Sequence, residues 1–328
     1  MALERSNNAR PTPAPLERSN NAPPSPCPTW DAFLARVTGN DQALASFLKR
    51  LAGYALTGDT SAHALFFLYG TGANGKSVFT STLAGILNDY QATAPIETFT
   101  ASATDRHPTE LAGLRAARLV TATETEEGRR WAEARIKALT GGDAIPARYM
   151  RQDFFEYVPQ FKLVIAGNHK PGLRAVDEAI RRRFHLVPFE VTIPAHERDA
   201  RLTEKLKAEW PGILAWAIEG CLDWQGQGLN PPPAVVAATS AYLDAQDAVS
   251  AWADECCATD GEAFELTAEL YTSWVRWAAT AGEPAGNRKR FADALGARGM
   301  QAHRRNDGRG FRGLRLKPRH DPDEYWRR

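Results

Sequence analysis

The chain has 328 residues, 43% apolar and 24% charged, enough to bury a substantial core in two or three folded units. Its longest apolar stretches are short strands such as LVIAG at residues 163–167, which excludes a bilayer-spanning helix, and its polar, proline-rich start carries no secretory signal. The net charge of +1 conceals an asymmetry: residues 284–328 hold 13 Lys or Arg against 5 Asp or Glu, net +8, leaving −7 elsewhere and pointing that segment towards nucleic acid.

Residues 1–28 form a Pro, Asn, Ser and Ala tract in which LERSNNA occurs twice, and read as a disordered leader. Residues 29–60 read as a helical collar, with Trp30, Phe33 and Leu34, then Leu44, Phe47, Leu48 and Leu51, at helical spacing. Leu65, Phe66, Phe67, Leu68 and Tyr69 predict a strand buried on both faces, and Phe79, Leu83, Ile86 and Leu87 predict a helix soon after. Between them Gly70, Thr71, Gly72, Ala73, Asn74, Gly75, Lys76 and Ser77, followed by Val78, have the spacing G-x-x-x-x-G-K-[ST] of a P-loop. Glycines there let backbone N–H groups close around a β-phosphate, Lys76 reaches the β and γ oxygens, and Ser77 offers its hydroxyl to Mg²⁺. The expected ligands are ATP and Mg²⁺.

Residues 61–225, the core with its following helices, alternate strand and helix patterns, which predicts an α/β fold with a largely parallel sheet. Leu119, Val120, Thr121 and Ala122 deliver Glu124 and then Glu126, of which Glu124 is the first choice to hold Mg²⁺ and polarise the attacking water. Taken alone, a glutamate at a strand end is more often a solvated surface residue; the upstream P-loop reverses that. A second strand over residues 161–166 leads to Asn168, whose amide can bond both a γ-phosphate and the lytic water, a role compatible with plain turn chemistry. Arg181, Arg182 and Arg183 follow, one of which could stabilise charge on a phosphate held by a neighbouring subunit.

Residues 226–246, opening on GQGLNPPP, read as a linker. Residues 247–328 read as a winged-helix-like domain: Leu266, Leu270, Trp274 and Trp277 mark one helix, Phe291 and Leu295 a second, and residues 300–316 a hairpin turning at Asn306, Asp307 and Gly308. Arg304, Arg305 and Arg309 could set its wing on duplex DNA, against the plainer reading of a solvated charged face. Cys27 and Cys221 stand apart and Cys256 and Cys257 are adjacent, spacing that suits neither zinc nor a disulfide framework, so a reducing cytoplasm is expected.

In order and spacing, GTGANGKS at 70–77, ATETEEGRRWAEARIKALTGGDAIPARYMRQDFF at 122–155, LVIAGNHKP at 163–171 and DEAIRRRFHLVPF at 177–189 resemble the superfamily 3 helicases. The resemblance is to the C-terminal ATPase half of phage and plasmid primase-helicases related to the poxvirus replication ATPase. It implies an AAA+-like P-loop NTPase core with Lys76 and Ser77 at the phosphate and magnesium positions. Glu124 with Glu126 match the acidic motif, Asn168 the sensor, and Arg182 with Arg183 the arginine finger of a hexameric ring that binds ATP between subunits. LTGGDAIPARYMRQDFFEYVP resembles the pore hairpin, with Arg148 and Arg151 on DNA phosphates and Tyr149 stacking on a base or sugar; without the resemblance an ordinary surface hairpin is the simpler reading.

The expectation is an ATP-dependent DNA helicase of phage, prophage or plasmid replication, a homo-hexamer on single-stranded and forked DNA in bacterial or phage-infected host cytoplasm, with no membrane partner. Many relatives carry a primase module where this chain has only its leader, so the chain is not expected to make primers, and a separate primase or polymerase would supply that activity. Two rivals stand: an ATP-switched replication initiator or loader, and a small-molecule P-loop kinase.

Overall fold

The computed structural model describes residues 25–101, 109–124, 129–173, 176–245, 248–283, 285–297, 300–306 and 308–317. Helix α1 (Pro28–Val37) starts on a proline, which fits a first turn because its missing N–H has no partner there anyway. Helix α2 (Gln42–Ala55) is capped by Asp41, whose carboxylate accepts the N–H groups of Ala43 and Leu44. Both exist where a collar was expected, but they share one apolar core with the central sheet: Trp30, Phe33, Phe47 and Leu51 pack with Phe66, Leu68 and Phe79. The fold also takes up the end of the expected leader, since the backbone of Ser25 and Pro26 lies against Gly212. Residues 1–24 lie outside the described residues.

Next come β1 (Leu65–Tyr69), α3 (Lys76–Leu87), β2 (Gln91–Thr93), α4 (Thr109–Ala112), β3 (Leu119–Glu124) and α5 (Glu133–Thr140). A short antiparallel hairpin of β4 (Ile145–Ala147) and β5 (Phe155–Tyr157) precedes β6 (Lys162–Gly167), α6 (Glu178–Arg181) and β7 (Phe184–Pro188). Five strands form one parallel sheet in the order β2-β3-β6-β1-β7, the predicted α/β architecture. Successive residues of a strand face opposite sides. Phe66 and Leu68 therefore enter the core shared with α1 and α2, while Leu65 and Phe67 enter a second core with Trp131, Ile165 and Phe184.

Helices α7 (Leu202–Ala208), α8 (Trp210–Gln227) and α9 (Pro233–Ala245) follow. At the crossing of α2 and α8 two glycines bring the backbones together: a Cβ on Gly53 would lie 2.0 Å from the Cys221 nitrogen, and one on Gly220 would lie 2.0 Å from the Lys49 carbonyl oxygen. Neither obstacle is a flexible side chain, so Gly53→Ala must push the helices apart. It is expected to cost about 3 kcal/mol or more, read as a lower denaturation midpoint than wild type in urea.

The linker expected at residues 226–246 is corrected by α9. Gly228, at φ 69°, does end α8, but α9 then packs on β7, burying Val235, Tyr242 and Leu243. Thr239 Oγ1 accepts the Leu186 N–H at 2.9 Å, and Trp131 Nε1 donates to the Tyr242 hydroxyl at 2.9 Å. The reason is physical: β7 is an edge strand whose open side needs cover, and a proline at a helix start initiates the helix it would break further in.

The remaining elements are α10 (Ala248–Cys256), β8 (Cys257–Leu266), α11 (Thr267–Ala281), α12 (Arg288–Ala297), β9 (Gln301–Arg305) and β10 (Gly308–Leu316). The three strands form an antiparallel sheet, β8-β10-β9, over a separate core that includes Trp252, Trp274, Phe291 and Phe311. The predicted hairpin and both predicted helices are present; β8, whose CATDGEAFEL lacks a clear apolar alternation, had no sequence signal. Among the described residues no helix is long and apolar enough to cross a membrane.

Candidate nucleotide site

The sheet register gathers the site. Tyr69 at the end of β1 faces Gly167 at the end of β6, which faces Glu124 at the end of β3. The P-loop after Tyr69, Asn168 after Gly167 and the backbone of Glu124 thus share the carboxyl edge of the sheet, where open α/β sheets bind ligands. With strands about 4.8 Å apart, roughly 10 Å separates the Glu124 backbone from the root of the loop, space for a phosphate chain and a cation. Only the backbone of Glu124 is described, and Glu126 lies outside the described residues.

Gly72 (φ 98°), Ala73 (φ 49°) and Gly75 (φ 88°) put the loop in the left-handed conformations from which successive amides cup an anion, and Gly75 caps the start of α3. Gly75 has a second role that no motif reports. A Cβ there would lie 2.5 Å from Val37 Cγ1 and 2.9 Å from Phe33 Cε2, so α1 presses directly on the loop.

Lys76 is 6% exposed, and its ammonium donates to Gly70 O at 2.7 Å, Asn74 Oδ1 at 3.0 Å and Asn168 Oδ1 at 3.2 Å. All three acceptors are neutral, and burial pushes its pKa down from the usual lysine value. A dehydrated cation among neutral acceptors is prepared for an anionic partner. The third contact brings Asn168 to the loop; Thr71 lies near its start, and Ser77, exposed in the first turn of α3, and Val78 follow Lys76. Among the described residues no three His, Cys, Asp or Glu side chains are grouped to hold a metal ion.

The three arginines sit at the other end of the sheet. Leu65 N–H donates to Arg183 O at 2.7 Å and Leu65 faces Phe184, so the whole length of β1, roughly 13 Å, separates this group from the P-loop. They differ in availability. Arg181 pairs with Asp244 at 3.2 Å. Arg183 is 5% exposed, donating to Thr140 Oγ1 at 3.1 Å and to Ala179 O at 2.7 Å, and burial lowers its pKa. As a residue that could reach out to another subunit, Arg183 is therefore corrected by its burial. Arg182 is exposed and lines an open cavity of about 560 Å³ with His185, Trp224 and Gln225. Burial lowers His185 to about 4, so it is neutral at pH 7 and Arg182 is the cation there.

The β4–β5 hairpin is tied down at its base. Tyr157 donates to Leu111 O at 2.6 Å, and Tyr149 donates to Ala112 O at 3.2 Å while stacking on Phe155. Tyr149 is thus tethered through its hydroxyl and its ring stacks on Phe155, while the residue stays 41% exposed. The apolar groups that project are Met150, 72% exposed, and Phe154, 60% exposed, with Arg148 over the Phe154 ring at 4.9 Å and Arg151 exposed at φ 60°. Their nearness to Arg148 and Arg151 in sequence was the available signal.

In the C-terminal sheet Arg304 faces Arg309 directly, and Arg305 lies over the Phe264 ring at 4.1 Å. Like charges opposed in a ladder repel, a cost an anion would relieve.

Comparison with known proteins agrees with this geometry. Residues 68–183 match the family described as a family of unknown function, DUF5906. The chain is 28% identical over 283 residues to "Putative helicase 022R" of Frog virus 3 (isolate Goorha), covering 79% of this chain and 28% of that protein. It is 28% identical over 193 residues to "Putative helicase L207/L206" of Acanthamoeba polyphaga mimivirus, covering 56% of this chain and 20% of that protein. The chain is a distant homologue of these viral proteins. It spans about a quarter of their length. Two apo structures of the NrS-1 C terminal region share the fold: one with a TM-score of 0.53 at 11% identity over 93% of this chain and 79% of that one, the other with 0.54 at 10% over 92% and 79%. The superfamily 3 resemblance read from the motifs thus holds at the level of distant homology and fold.

Proposed function

We propose that the chain is an ATP-dependent DNA helicase of viral or mobile-element replication, working as a ring on single-stranded DNA. The observation that carries this reading is the polarity of the sheet. The phosphate loop, Asn168 and the end of β3 share one edge while the only uncommitted arginine of the 181–183 group stands at the other, so one subunit offers half a site at each edge. A ring places the two halves face to face.

The residues fit ATP and Mg²⁺, which supply the phosphoryl group and the charge neutralisation when bound. Lys76 moves from its neutral acceptors to phosphate oxygens, and Asn168, freed from Lys76, orients water or reports the γ-phosphate. Glu124, with Glu126 as the second residue of the acidic motif, is proposed to polarise that water, and Ser77 to hold the cation. Arg182 serves the neighbouring subunit. The DNA strand would pass the hairpin, with Arg148 and Arg151 on phosphates and Phe154 and Met150 against bases.

The helix–strand–helix–helix–strand–strand order from α10 to β10 supports reading this segment as winged-helix-like. There α12 and the Arg304, Arg305 and Arg309 hairpin are proposed to grip duplex DNA ahead of the fork.

ATP hydrolysis with and without single-stranded DNA tests the reading. DNA is expected to stimulate turnover, and Arg151→Ala with Phe154→Ala is expected to remove most of that stimulation and weaken strand affinity by about tenfold or more while leaving basal turnover within about twofold. DNA-insensitive turnover by a monomer would favour the kinase; DNA binding without unwinding under turnover would favour the initiator or loader.

A further inference from the structure

Asn74 belongs to the phosphate loop but bonds beyond it. The side chain is 3% exposed; Oδ1 accepts from Lys76 Nζ at 3.0 Å, and Nδ2 donates to the carbonyl of Phe189 at 2.7 Å. Phe189 directly follows β7 and donates its own N–H to Tyr69 O at 2.8 Å; four residues on, Ile193 N–H donates to Ala73 O at 2.8 Å. Gly70 makes the close approach possible, since a Cβ there would lie 2.1 Å from Phe189 O and 2.2 Å from Asn74 Nδ2. The chain leaving β7 is stitched to the loop, and the chain entering β7 carries Arg182. Partner chemistry fixes the amide: a carbonyl can only accept and an ammonium can only donate, so oxygen meets Lys76 and nitrogen meets Phe189.

We propose that Asn74 is a positioning residue that holds Lys76 at the mouth of the loop and fastens the loop to β7, linking occupancy of one site to the strand that presents Arg182 to the next. This rests on the nucleotide-site reading above. The position calls for a group that donates and accepts at once. A carboxylate has the same shape but only accepts; it would oppose the Phe189 carbonyl and neutralise Lys76. A protonated carboxyl donates and accepts again, as the amide does.

The test is calorimetric titration of ADP with Mg²⁺ into the full chain and its Asn74→Asp and Asn74→Leu variants, at about pH 8 and about pH 5.5, each variant compared with wild type at the same pH. At the higher pH both variants are expected to bind at least about tenfold more weakly, and hydrogen exchange over residues 184–193 is expected to quicken. At the lower pH the Lys76 ammonium keeps the introduced carboxyl ionised, so both variants are expected to stay weak. Unchanged affinity in both variants overturns the proposal, as does unchanged exchange over residues 184–193. Should Asn74→Leu not fold, the affinity and exchange of Asn74→Asp decide alone. A wild-type chain that binds no ADP overturns the nucleotide reading itself.

Discussion

Lys76→Ala is expected to abolish turnover, lowering ATP hydrolysis at least about 1,000-fold and weakening ADP binding by about 100-fold or more. The argument lies in the partners of the ammonium. It is almost wholly buried, and the hydrogen bonds recorded for it go to Gly70 O, Asn74 Oδ1 and Asn168 Oδ1, none of which carries a negative charge. Among the described residues the buried cation gains no counter-ion, so its Coulombic attraction is available to a phosphate. Deleting it also removes the burial cost of a charge, so the variant should remain folded. Phosphate release, ADP titration and thermal melting together check this. Hydrolysis at the wild-type rate by Lys76→Ala would show that the measured activity belongs to a contaminant or to another site.

Arg182→Ala is expected to reduce hydrolysis by about 1,000-fold while leaving ADP affinity within about twofold, because a residue that acts in trans on the developing charge touches the transition state more than the bound product. Arg181 is engaged by Asp244 and Arg183 by Thr140 and Ala179, which leaves Arg182 as the member of the group whose side chain makes no hydrogen bond or ion pair among the described residues. The 13 Å or so along β1 that separates the group from its own P-loop makes an action in cis geometrically unworkable. Mixing Arg182→Ala with Lys76→Ala protein should restore part of the activity, since an intact loop from the first then meets an intact arginine from the second. No recovery in a mixture shown to co-assemble would remove Arg182 from the site. Arg183→Ala should instead lower the melting temperature, as it leaves the Thr140 hydroxyl and the Ala179 carbonyl without their buried donor.

The phosphate loop was legible because its chemistry is local: glycine conformations, a lysine and a hydroxyl at fixed offsets need only a strand before and a helix after. The same holds for β1, β6 and β7, whose apolar runs are dictated by burial on both faces, and for Asn168, which follows such a run. Local rules failed where long-range contacts decide. The prolines before α9 look like a linker until the uncovered edge of β7 is known, and β8, whose sequence lacks an apolar alternation, is recognisable as a strand only through its pairing with β10.

By itself, then, the sequence determined which chemistry can be proposed for this chain, since spacing along a backbone fixes the glycine loop with Lys76 and Ser77 proposed to hold a phosphate. Tertiary structure alone decided which side chains are free to perform the rest. It buried Arg183 and exposed Arg182, tethered Tyr149 and projected Phe154, pressed Phe33 and Val37 against Gly75, and carried the Phe189 carbonyl to Asn74. Those outcomes depend on burial and on groups separated by up to 115 residues, as Asn74 and Phe189 are, and neither quantity is written in a local stretch of sequence.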